Sequence, residues 1–98
     1  MDQKIVGYLY AAIDDTNAQR AGEPPLEKTP ETALFGSASA LDSLGLVNFI
    51  VAAEKRIEEA YGTPIVLADD RALAREPSPF QSVGALADYV EVLLRERE

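Results

Sequence analysis

The chain contains no cysteine, no histidine and no tryptophan, and only one methionine. Without cysteine there is no thiolate nucleophile, disulfide or thiol-based zinc site, and without histidine the commonest general base is missing. Chemistry that needs either group must be brought in from outside. Positive charge is also scarce: 9 Lys and Arg stand against 17 Asp and Glu, a net charge of -8. Such a surface repels phosphate backbones, so nucleic acid is not an expected partner and proteins with basic faces are. No apolar run is long enough to span a bilayer, and Asp2, Lys4, Asp14 and Asp15 interrupt the first segment, so neither membrane insertion nor a secretory leader is read. The expectation is a soluble cytoplasmic protein, and the negative charge argues for a monomer.

The 98 residues fit a single domain over 1–98, with no room for separate catalytic and substrate domains. Ile5, Leu9, Ala12 and Ile13 recur at helical spacing, with Val6 and Tyr10 widening the stripe, which predicts a first helix over about residues 2–17. Residues 18–40 contain Gly22, Pro24, Pro25, Pro30, Gly36, Ser37 and Ser39 and read as a long loop. Loops of this length are functional or disordered. Leu26, Leu34 and Phe35 are expected to anchor this one, leaving it ordered at both ends and looser near Gly22.

In residues 43–61, Leu46, Phe49, Ile50, Ala53, Ile57 and Tyr61 form one stripe, with Asn48, Lys55, Glu58 and Glu59 elsewhere on the helix. Gly62 is placed to cap its C-terminus and Pro64 stops it. Asp69 and Asp70 can cap a short helix over about residues 71–75, ended by Pro77 and Pro79. Ser82 then caps a final helix that turns Val83, Leu86, Val90, Leu93 and Leu94 inward, with Arg95 and Arg97 suiting its C-terminal dipole. Pro64-Ile65-Val66-Leu67 is the one segment that could be read as a strand. The fold class is therefore all-α: a small four-helix bundle with three long helices, one short helix and a long first loop.

Ser43, preceded by Asp42, stands where the loop becomes the second helix. A helix N-terminus carries unpaired N–H groups and partial positive charge, so an anion attached there is favoured. A loop-to-helix junction is also open to a modifying enzyme. Ser43 has no base of its own, and Asp42 in water is a feeble one for an alcohol, which argues against a hydrolase. The plain alternative is that Ser43 is an ordinary N-cap, worth about 1 kcal/mol. Leu44, Val47 and Val51, spaced i, i+3, i+7, form a second apolar face that diverges from the core stripe. Val51 fits the core and a partner surface equally.

Leu41-Asp42-Ser43-Leu44 resembles the attachment motif of the acyl carrier protein family. The resemblance extends through Leu46-Val47-Asn48-Phe49-Ile50-Val51, the charged Glu54-Lys55-Arg56-Ile57-Glu58-Glu59 and the closing Val83-Gly84-Ala85-Leu86-Ala87-Asp88-Tyr89-Val90, in the family's order, and Leu34-Phe35-Gly36 is similar to stand-alone bacterial members. It implies that a phosphopantetheinyl transferase, using coenzyme A and magnesium, attaches phosphopantetheine to Ser43, with Asp42 assisting recognition and touching the magnesium ion. On this reading the chain itself would bind no metal and would not be an enzyme. The arm's thiol would carry acyl intermediates as thioesters between an activating acyl or aminoacyl ligase and downstream acyl-transferring enzymes of fatty acid, polyketide or specialised pathways. Leu44, Val47, Val51 and Glu54 would meet those partners.

Gly45, Asn48 and Lys55 stand where fatty-acid carriers commonly place acids, which points to a dedicated partner set. Ala52 and Ala53 could leave room for an acyl chain, and Phe49, Phe80 and Tyr89 could equally fill it. An aminoacyl, peptidyl or D-alanyl carrier remains an alternative, as does an unmodified acidic helical adaptor.

Overall fold

Asp2 starts the first helix: its carboxylate accepts the N–H groups of Lys4 at 2.8 Å and Ile5 at 3.3 Å. Helix α1 then runs Gln3–Gln19 in the computed structural model, which describes residues 2–20, 25–35, 41–68, 70–75 and 78–96. Ile5, Leu9, Ala12 and Ile13 are fully buried and Val6 nearly so, the face that the spacing predicted. Thr16 falls on the same face, and its hydroxyl donates to the Ala12 carbonyl at 2.9 Å, so no polar group is stranded there.

Beyond α1 the chain is tied back by Asn17. Its side-chain amide donates to the Leu26 carbonyl at 3.2 Å and its carbonyl oxygen accepts the Leu26 N–H at 2.8 Å, which pins Leu26 into the core. Lys28 reaches Asp14 at 3.2 Å. Leu34 is fully buried as an anchor, but Phe35 is not an anchor: it is 65% exposed. Phe35 sits at a bend, where the chain turns away from the core that Leu34 enters. The region near Gly22 and residues 36–40 lie outside the described residues.

Helix α2 runs Ser43–Tyr61 and ends at Gly62, whose left-handed backbone (φ 68°) lets its N–H return to the Glu58 carbonyl at 2.8 Å. Phe49, Ala53 and Ile57 are fully buried and Ile50 nearly so, whereas Tyr61, expected on the same stripe, lies at its edge. The Tyr61 ring packs edge-on against Tyr8, with centroids 5.8 Å apart. Residues 63–68 are irregular and form no strand; Ile65 and Leu67 are buried and Val66 exposed. A single helical turn, α3 (Asp70–Ala74), follows, buries Ala72, and stops before Arg75, which stacks over the Tyr89 ring at 5.2 Å. The expected Asp69 cap lies outside the described residues, as does Arg97.

Helix α4 runs Val83–Glu96. Ser82 caps it as expected, accepting the Ala85 N–H at 3.1 Å. The first loop completes the cap: Val83 and Gly84 donate to the carbonyls of Thr32 at 3.0 Å and Pro30 at 2.8 Å. Val83, Leu86 and Val90 are buried, while Leu93 and Leu94 are only partly so.

The architecture is all-helical, with no strand among the described residues, and α1 is its hub. It packs on both α2 and α4, and among the described residues no Cα of α2 comes within 8 Å of one in α4. One core joins all three long helices, and Leu26, Leu34, Ile65, Leu67, Ala72 and Phe80 from the connections enter it. Phe49 and Tyr89 are fully buried within it. The Cα radius of gyration, 12.5 Å, is that of a compact chain of this length.

Candidate functional site

The start of α2 is built by three consecutive residues with different tasks. Leu41 sinks into the core. Asp42 is extended and caps the helix: its Oδ1 accepts the Gly45 N–H at 2.7 Å, and its carbonyl accepts the Leu46 N–H at 2.9 Å. Ser43 is the first helical residue, and its side chain lies outside the described part. Thus Asp42 and not Ser43 is the N-cap. Asp and Ser cap equally well, so sequence alone does not separate them; the burial of Leu41 sets the register.

Gly45 has a structural reason of its own. A Cβ there would lie 3.0 Å from Leu41 Cδ2 and 3.1 Å from Asp42 Oδ1, tighter than ordinary van der Waals contact. The bare position lets the Leu41 side chain and the Asp42 carboxylate close over the first turn. The missing acid at 45 is accounted for locally, which leaves Asn48 and Lys55 to carry any argument about partner choice.

From this junction an apolar row runs along the open side of α2. Leu44 is 69% exposed, Val47 54% and Val51 58%, against complete burial of Phe49, Ala53 and Ile57 on the opposite side. Val51 therefore belongs to the outer face and not to the core. Glu54 is differently engaged: its Oε2 accepts the Leu67 N–H at 2.7 Å, fastening the 63–68 segment to α2. Its carboxylate is turned to the protein's own backbone.

The flank of α2 that faces α1 holds a groove of about 610 Å³, in which Asn48, Val51, Ala52 and Lys55 face Ala18 and Gln19. Sequence reasoning did not find it. Its floor is braced by Arg56, which donates to Asp15 through Nε at 2.7 Å and through its terminal nitrogen at 2.8 Å. This two-pronged bond lowers the Asp15 pKa below the ordinary carboxylate value and raises that of Arg56, burial opposing both shifts more weakly. The pair is 41 residues apart in sequence, beyond any local pattern. Elsewhere, burial and the nearby Asp2 and Tyr8 raise the Tyr61 hydroxyl.

Among the described residues there is no cluster of acids able to hold a metal ion. No described helix is long and apolar enough to cross a membrane. Compared with known proteins, the chain matches no family model, no curated protein and no solved structure.

Proposed function

We propose that this chain is an acyl carrier protein: a four-helix carrier domain whose Ser43 receives a phosphopantetheine arm from coenzyme A. The observation that carries the reading is the division of labour at the start of α2. Asp42 already caps the helix, so Ser43 is not needed for capping, and it stands at the root of an exposed apolar row on an otherwise regular helix.

The site suits the group. A phosphodiester at the first helical residue meets the positive end of the α2 dipole and the unpaired donors of its first turn. In the modification, the Ser43 hydroxyl oxygen attacks the phosphorus that bears the pantetheine of coenzyme A. A P–O bond forms, the bond to the adenosine bisphosphate leaving group breaks, and the hydroxyl proton passes to a base on the transferase. Asp42 keeps the first turn intact and presents a carboxylate to the incoming transferase and its magnesium ion. The arm supplies the thiol that the chain lacks.

Leu44, Val47 and Val51 then offer partner enzymes an apolar contact beside the arm, with the acidic surface orienting basic partners. Tethering raises the effective concentration of cargo at each active site without any catalytic group in the chain. Incubation with coenzyme A and a promiscuous phosphopantetheinyl transferase tests the reading: wild type gains one phosphopantetheine by mass, and Ser43→Ala gains none. An unmodified acidic adaptor would gain none in either form.

A further inference from the structure

We propose that the groove between α1 and α2 receives the outer end of the arm together with an acyl group ending in a carboxylate, and that Lys55 meets that carboxylate. The inference rests on the modification of Ser43 and adds what is carried.

Leu44, Asn48, Val51 and Lys55 follow i, i+4, i+7, i+11 spacing, so they form one row down the side of α2. Twelve residues at the helical rise put Lys55 about 18 Å along the axis from Ser43, the span of an extended phosphopantetheine arm. An arm laid along this row brings its thioester end to the level of Lys55.

The lining suits that occupant better than a plain alkyl chain. Val51, Ala52 and Ala18 offer short apolar contacts, and Asn48 and Gln19 offer amides that can pair with the two amides of the arm. A long hydrocarbon would bury those side-chain amides without partners. Charge selects the terminus. Asp15 and Arg56 satisfy each other, and Glu59 lies close enough to Arg56 to act on it as well. Lys55 is exposed on the groove; it acts on the Asp15 carboxylate from a distance but makes no ion pair within 4 Å among the described residues, and Glu59 is the other acid of the lining. An acyl group with a carboxylate at its far end would give the Lys55 ammonium a direct ion pair in addition to that longer-range interaction.

The test loads the same protein with two cargoes that differ only at the terminus, succinyl and butyryl, each delivered from its coenzyme A thioester by the transferase. Backbone amide NMR shifts are then compared. The expected result is that succinyl, and not butyryl, moves the signals of Asn48, Val51, Ala52, Lys55 and Gln19, that Lys55→Gln reduces those movements by at least half, and that Lys55→Arg retains them. Loading confirmed by mass, but with equal shifts for the two cargoes or shifts unaffected by Lys55→Gln, overturns the groove proposal alone. Failure of wild type to gain mass overturns the Ser43 reading and this inference with it.

Discussion

The Asp42 carboxylate accepts the backbone N–H of Gly45 at 2.7 Å, and the absence of a side chain at 45 makes room for it. This one contact separates two tasks that the sequence presents as a single Asp-Ser pair. The acid shapes the helix end, and the serine beside it is not needed for that cap.

Capping and recognition at Asp42 can be told apart by two substitutions. Asp42→Ala should lower stability by about 1 kcal/mol through loss of the cap, whereas Asp42→Ser, which can still cap, should stay within about 0.5 kcal/mol of wild type. Both should slow modification by the transferase. Urea unfolding and initial rates of mass gain measure the two effects separately.

Gly45 and Gly7 provide a matched pair. Alanine in an exposed helix interior is favoured over glycine by about 1 kcal/mol. A Cβ at Gly7 meets nothing within 4 Å, so Gly7→Ala should gain most of that amount. At Gly45 the new methyl must displace Leu41 and the Asp42 carboxylate, so Gly45→Ala should gain less than Gly7→Ala or lose stability. Parallel urea curves decide the order.

The two faces of α2 should respond oppositely to truncation. Phe49→Ala removes a fully buried ring and should cost about 3–5 kcal/mol. Val47→Gln and Val51→Gln alter exposed positions and should change stability by less than about 0.5 kcal/mol. They should nonetheless weaken transfer of cargo to a cognate partner enzyme, which single-turnover transfer assays would detect.

The Asp15–Arg56 pair gives a pH dependence with a defined sign. Because Arg56 lowers the folded-state pKa of Asp15, the stabilisation is present above the ordinary carboxylate value of 3.8 and is lost as pH falls through the lower folded value. Both side chains are more than a third exposed, so solvent screens the effect and keeps it small. Tyr61 acts at the other end: its folded pKa is raised above 10.0, so its contribution is present below pH 10 and lost as pH rises through the folded value. Asp15→Asn should flatten the acid limb of a stability-pH curve, and Tyr61→Phe the alkaline limb.

Much of this architecture was legible in the sequence because it is periodic. The buried faces of α1, α2 and α4 follow helical spacing, and Gly62 and Ser82 act as the caps that their residue types indicate. What escaped was settled by tertiary contact. Leu34 and Phe35 are neighbours of similar apolarity, and only the packed chain decides that the first is buried. The Asn17–Leu26 clamp, the Glu54–Leu67 fastening and the Arg56–Asp15 brace join residues 9, 13 and 41 apart, distances at which no local pattern speaks. At the site itself, Asp42 and Ser43 are both good capping residues, and the sequence could place the junction but not divide the roles. The exposed row of Leu44, Val47 and Val51 was legible as a second apolar face; the groove beside it needed α1 alongside.

Everything proposed for this chain turns on whether Ser43 receives a phosphopantetheine arm. Tandem mass spectrometry of the chain, digested after reaction with coenzyme A and a phosphopantetheinyl transferase, decides it. The expected result is one phosphopantetheine on the peptide containing Ser43, with fragment ions assigning it to that residue, and no modified peptide from Ser43→Ala. An unmodified wild-type chain, or the same mass gain in Ser43→Ala, would rule out the carrier reading.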